Sequence, residues 1–221
     1  MSVMEIVWRY SDALSAGLAV TLRLCAIVWL VGITIGGVLG IIASRWPRGI
    51  GVPVRVASTV LAAIPIIVFL FWLHYPAQMV LGVVVNPFIT AAAALTTVNA
   101  VLVADLVRGA AVDLPQQYRT AAMACGLAWS DTVRFITAPL LMRQLLPGVL
   151  SLQIVMLQAS LFASLISVDE IFRVVQRINA EIYRPVEIYT GLALLFIAVC
   201  VPLHVLANHL RRRFTRDTSE V

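Results

Sequence analysis

Apolar residues gather along the chain into five long runs separated by short polar connections, at approximately 18–44, 56–75, 88–107, 145–168 and 188–210. A hydrocarbon core of about 30 Å is crossed by about 20 helical residues, and each run reaches that length. The first run is over-long and carries Arg23 near one end, where the side chain can snorkel to the headgroups while the helix tilts. Between the fourth and fifth runs the pattern changes. Ile171, Val174, Val175, Ile178 and Ile182 recur at helical spacing with charges between them, which predicts a short amphipathic helix. It lies on the membrane interface, shares in docking an external protein, or does both. The prediction is an all-α integral membrane protein of five transmembrane helices, a single domain over residues 1–221, with a loop of short helices over 113–143.

Glycine and proline punctuate this pattern. Gly32, Gly36 and Gly40 stand four residues apart on the first span, a side-chain-free stripe on which another backbone can approach closely. Pro65 and Pro202 each remove a backbone donor and predict kinks in the second and fifth spans. In the loop, Asp113 with Pro115 predicts a helix start and Gly126 its stop. Ser130 and Asp131 then cap a second short helix that ends at Pro139. Leu127, Trp129, Val133, Phe135 and Ile136 put apolar side chains into this otherwise polar segment, either to pack on the span ends or to meet a partner.

Composition agrees with the membrane reading: 61% of the 221 residues are hydrophobic and 12% charged, with a mean hydropathy of +0.97. A soluble domain of this size cannot bury so much apolar surface. The net charge of +5 is carried by arginines, most of them in short connections beside the spans, which speaks for inner-leaflet lipid and against nucleic acid. Arg45, Arg48 and Arg55 occupy the first connection, Arg108, Arg119, Arg134 and Arg143 the third, and Arg211, Arg212, Arg213 and Arg216 the tail. The second connection has none, so the N-terminus is expected outside and the C-terminus in the cytoplasm. In the fourth connection Arg173, Arg177 and Arg184 are offset by Asp169, Glu170, Glu181 and Glu187. The start of the chain lacks a basic region and a cleavage site and is expected to be retained.

Candidate chemistry is sparse. Lysine is absent, and with it any phosphate-binding loop, so the chain is not expected to hydrolyse ATP. Cys25, Cys125 and Cys200 are scattered, as are His74, His204 and His209, and no metal site or disulfide is expected. Asp105 and Arg108 are spaced for an ion pair at the end of the third span. Asn99, Gln153, Gln158, Ser160 and Ser164 lie deeper, where uncharged polar groups must find partners on neighbouring helices or line a water-filled path. Asn99, Gln158, Ser160 and Ser164 are the candidates for such a path.

The order Arg119, Thr120, Ala121, Ala122, then Gly126, Leu127, Ile136 and Pro139 resembles the Glu-Ala-Ala coupling loop of ABC-importer permease subunits. The approach to it, Ala104-Asp105 through Arg108-Gly109 and Leu114-Pro115 to Gln117-Tyr118, resembles the polar amino acid permeases (histidine, glutamine and opine type). So do Pro65 with the apolar run behind it, Ser164 to Glu170, and Arg184 to Tyr189. The resemblance covers most of the chain after the first span. It implies a type I importer fold in a bacterial inner membrane, a second permease subunit, and an external binding protein that delivers a polar amino acid or related zwitterion such as an opine. It further implies a cytoplasmic ATPase dimer that binds ATP and Mg, with no cofactor on this chain. Two departures stand out. Thr120 replaces the family glutamate, and Gln158-Ala159 replaces a lysine followed by Asp or Asn in the fourth span.

Two other classes are weighed against this reading. An ion-coupled carrier or channel needs intramembrane carboxylates, of which Asp105 is the clear candidate. A membrane-embedded enzyme needs a nucleophile and base or a metal cluster, and the sequence offers neither.

Overall fold

The computed structural model describes residues 3–215, all of them in helices or the turns between them. Arg216 lies outside the described residues. A short helix α1 (Val3–Arg9) leads into α2 (Ser11–Arg45), the first span. A π-helical turn at Pro47–Gly51 starts α3 (Val52–Ala63), followed by α4 (Ile66–His74) and α5 (Pro76–Leu81). The third span is α6 (Pro87–Val112), capped by the Asn86 side chain, which accepts from the Phe88 N–H. Next come α7 (Gln116–Ala124), α8 (Trp129–Asp131) and α9 (Ala138–Ala159), which continues into a 3-10 segment, Ser160–Ile166. The amphipathic α10 (Ile171–Ile182) and the last span α11 (Pro185–Thr215) complete the chain.

Four of these stretches are long and apolar enough to cross a membrane alone: Ser11–Arg45, Pro87–Val112, Thr132–Ile166 and Pro185–Phe214. The second expected span is not one helix with a kink. It is a pair, Pro47–Ala63 and Ile66–Leu81, set at 96° to one another. The break is sharper than a missing N–H at Pro65 requires, because Ile64 and Pro65 are both extended, with ψ of 124° and 130°. The residue before a proline is driven from helical to extended backbone, so the two effects add. Pro202, by contrast, sits inside an uninterrupted α11.

The glycine stripe decides whether that bent pair crosses. A Cβ placed on Gly32, Gly36 or Gly40 would lie 2.5–2.6 Å from Asn99, the Ala100 carbonyl or the Ala104 carbonyl respectively. Rising residue numbers on α2 therefore meet rising numbers on α6, and the two helices are parallel. Two parallel spans must be joined by a connection that returns across the membrane, so α3 to α5 makes a crossing and the described residues hold five spans.

The remaining directions follow from side-chain contacts. Gly148 lies against Leu106 and Gln153 against Asn99, so α9 runs opposite to α6. The start of α11 meets α1 and α10 through Ile188, Ile6 and Val175. Residues 46–51, 113–137 and the last turns of α11 thus share one end of the bundle, here the loop end. α1, α10 and the connection 82–86 share the other. The apolar face of α10 is buried in the protein, against Ile6 and Ile188, rather than laid on a lipid surface.

Candidate functional site

The loop at 113–137 departs from its expected punctuation at two places. Asp113 is not a helix start. It ends α6, its N–H bonded to the Gly109 carbonyl, and α7 begins at Gln116 after an extended Pro115. The second loop helix does not stop at Pro139 either. From Trp129 it passes through a π-helical segment, Thr132–Thr137, directly into α9. Pro139 has no N–H to give, and the wider turn accommodates this: Ala138 N–H reaches back to the Val133 carbonyl.

Gly126 does terminate α7, with φ of +73°. The Leu127 N–H bonds the Ala122 carbonyl at 3.1 Å and the Gly126 N–H bonds the Met123 carbonyl at 3.0 Å, the paired bonds of a Schellman cap. This turn sets the direction in which the chain leaves α7. Ala121 is exposed, whereas Ala122 is 2% exposed and packs inward, so only one of the two alanines offers room to a partner. Thr120 is exposed with its hydroxyl donating to the Gln116 carbonyl at 3.2 Å. Leu127 and Pro139 are exposed and Ile136 half-buried. The side chains of Arg119 and Trp129 lie outside the described residues. Met123 and Phe135, 67% and 65% exposed, add apolar surface at the same end, with the Arg134 guanidinium 5.5 Å over the Phe135 ring. Phe135 was legible as apolar, but its outward direction is set by the π-helical register.

The polar residues of the spans divide clearly. Asn99 is wholly buried and its amide donates to the Val28 carbonyl at 2.9 Å and to Gln153 Oε1 at 3.0 Å, while Gln153 donates back at 3.2 Å. This reciprocal pair joins α2, α6 and α9 and engages both N–H donors of Asn99. Ser160 and Ser164 are buried, and each donates to a carbonyl three residues earlier, at 2.7 Å. Gln158 is the exposed member of the four, 4.0 Å from the Cys200 sulfur. Among the described residues no three His, Cys, Asp or Glu side chains gather as a metal site.

A site that sequence reasoning passed over lies at the opposite end. Glu170 is fully buried where α2, the 3-10 segment and α10 meet. Its Oε1 accepts from the Arg173 N–H at 3.0 Å, capping α10, and its Oε2 accepts from the Thr21 hydroxyl at 3.4 Å. Asp169, next to it, is exposed and paired with Arg173 at 3.3 Å. An acidic residue directly before an apolar helical period was the available signal for a cap.

Burial pushes the Glu170 carboxyl up to about 7, against the hydrogen bonds from Phe172, Arg173 and Thr21 that pull it down. The folded protein therefore holds this proton more tightly than the unfolded chain. Its contribution to stability is full below the unfolded value of 4.5 and is lost as pH rises to about 7. Glu170→Gln, which mimics the protonated form, is expected to flatten the melting temperature of the solubilised protein between those limits. A variant that still loses stability over that window as the wild type does would contradict this.

The chain matches the family model described as the inner membrane component of binding-protein-dependent transport systems, over residues 32–216. It is 26% identical over 155 residues to the glutamine transport system permease protein of Escherichia coli K12, covering 70% of this chain and 71% of that one. It is 27% identical over 202 residues to the octopine transport system permease protein of Rhizobium meliloti, covering 87% and 82%. Over 216 residues it is 26% identical to the arginine ABC transporter permease protein of Haemophilus influenzae, covering 94% and 97%. Its fold matches the crystal structure of an amino acid ABC transporter with histidines at a TM-score of 0.83 and 22% identity, over 96% of this chain and 99% of that one. This is the family that the loop residues indicated. A capped loop at one end of five spans, and a family match across most of the chain, lead to one conclusion: the protein belongs to the inner membrane components of binding-protein-dependent transport systems and is the permease subunit of a bacterial ABC importer, whose ATPase is a separate subunit.

Proposed function

We propose that the chain, paired with a second permease subunit, forms the translocation pathway for a polar amino acid or a related small zwitterion such as an opine. The ATPase subunits dock on residues 113–143 at the cytoplasmic face, and an external binding protein delivers substrate at the α10 end. The observation that carries this reading is the exposed loop surface around Ala121, Gly126 and Leu127, with Met123 and Phe135 beside it. Such an apolar face on a polar segment suits a protein partner. The substrate class rests on relatives whose names specify glutamine, octopine and arginine.

Orientation is part of the proposal. Arg45, Arg48, Arg108, Arg134, Arg143 and Arg211 to Arg213 all belong to the loop end, which by charge bias is the cytoplasmic side. In a background lacking Cys25, Cys125 and Cys200, Arg119→Cys and Arg213→Cys are expected to react only from inside. Labelling of either from outside refutes the topology.

Purification with its partners is the decisive experiment. The subunit is expected to bring an ATPase subunit with it, to show no ATP turnover alone, and to support uptake of at least one of glutamine, arginine and octopine. ATP hydrolysis by the purified subunit free of partners, or the absence of any ATPase from the complex, overturns the reading.

A further inference from the structure

α3 is held to the bundle lightly. Of its twelve residues Val54 and Ser58 are buried, one turn apart, while Val52, Val56 and Val60 face outward. Both of its ends are interruptions of α-helical geometry: the π-helical turn Pro47–Gly51 before it, and the extended pair Ile64 and Pro65 behind it. A helix between two such joints can swing as a rod, because the joints absorb the change in backbone dihedrals.

Its neighbours lack that freedom. α2 touches α6 backbone to backbone along the glycine stripe, and α9 is pinned to α6 by the Asn99–Gln153 pair. These three form one block. Against the mobility of α3 stands a polar link to α6. The Ser58 hydroxyl donates to Asp105 Oδ2 at 3.3 Å, while Asp105 Oδ1 accepts from Nε and Nη2 of Arg108 at 3.0 and 2.7 Å. The guanidinium fixes the direction of the carboxylate and leaves one oxygen for Ser58. The stem of Arg108 also reaches the joint before α3, with Cδ 3.6 Å from the Cβ position of Gly51. Both members of the ion pair lie in the last two turns of α6, the helix that leads straight into the loop at 113–137.

We propose that α3 is a lever hinged at both ends, and that Ser58, Asp105 and Arg108 are the clasp through which movement of the loop reaches it. Asp105 is then a positioning residue for transport. This rests on the docking role assigned to the loop above. A force applied at residues 113–137 reaches α6 and α9, which the loop joins, moves the α2–α6–α9 block as a unit, and changes the path only where a segment can move relative to that block. Two elements packed on the loop half of α6 have an interruption at each end, α3 and α9, and α9 is pinned to α6 by the Asn99–Gln153 pair, which leaves α3 to move.

The test uses the whole complex in liposomes, measuring substrate moved per ATP hydrolysed, with glutamine, arginine and octopine as probes. Ser58→Ala and Asp105→Ala are each expected to lower that ratio about five- to tenfold. ATPase co-purification and membrane abundance should stay at wild-type levels. The double variant should be no worse than either single one, since both remove the same link. Ser58→Thr, which keeps the hydroxyl, should restore the ratio. If Asp105→Ala is depleted from the membrane, Ser58→Ala decides alone. A wild-type ratio in Ser58→Ala overturns the clasp and leaves loop docking intact, as does a parallel fall in ratio and abundance that Ser58→Thr does not rescue. Absence of the ATPase from the wild-type complex overturns both.

Discussion

Replacing Gly36 with alanine is expected to deplete the protein from the membrane, whereas the same change at Gly37, the next residue, is expected to leave it intact or slightly more stable. A Cβ on Gly36 would stand 2.5 Å from the Ala100 carbonyl oxygen and 2.7 Å from Val103 Cβ. The first of these is backbone and cannot rotate away, so α2 and α6 must separate. Because they touch again at Gly32 and Gly40, separation at one point loosens the contact along its length. Overpacking of this kind costs typically about 1–3 kcal/mol, and a backbone contact belongs at the upper end. Gly37 meets nothing within 4 Å, and alanine there gains up to about 1 kcal/mol of helix propensity in an exposed helix. Quantifying both variants in membranes, with melting curves after solubilisation, checks the contrast. Equal abundance and equal melting temperatures would mean the stripe is not a packing seam.

The second large effect concerns uptake rather than folding. Gly126→Val and Gly126→Asp are both expected to lower uptake by more than about tenfold with the protein still inserted, for different reasons. Gly126 has φ of +73° and open space around its Cβ position. A β-branched side chain cannot hold that backbone cheaply, the left-handed region costing about 1–2 kcal/mol even for ordinary residues. Valine therefore undoes the Schellman cap and redirects Leu127. Aspartate tolerates the left-handed region, so the turn persists and the loss comes from a charge placed on the docking surface. Gly126→Asn, which adopts that backbone without adding charge, should retain most uptake. Glu181→Gln, at the other end of the bundle, serves as the neutral control. Uptake and retained ATPase at wild-type levels in the aspartate variant would make the loop a mere connection.

How far the sequence disclosed this molecule depended on the range of the forces involved. The straight spans and the amphipathic period of α10 were legible because hydrophobic burial writes itself into spacing along one segment. Gly126 was legible for the same local reason, a single residue being needed for a single backbone angle. The elbow at Ile64 and Pro65 was legible only as a weakness, since the proline drives Ile64 out of the helical region but does not itself require Pro65 to be extended as well. Asp113 misled because a capping residue followed by proline suits a helix end as readily as a start. The polar residues of the spans could not be sorted from sequence. Asn99 and Gln153 are 54 positions apart, and only the tertiary arrangement shows that they hydrogen-bond one another.

The parallel seating of α2 on α6 also sets a schedule for biosynthesis. The first span is complete at Arg45, but the carbonyls and side chains that cover its glycines belong to a helix that ends at Val112. At a synthesis rate of about 5–20 residues per second, the ribosome needs roughly 3–13 s to supply the missing surface. Throughout that interval the glycine groove is open to lipid and to any other nascent helix nearby. Variants that slow translation or insertion between residues 46 and 86 would prolong this exposure without altering a single contact of the finished protein.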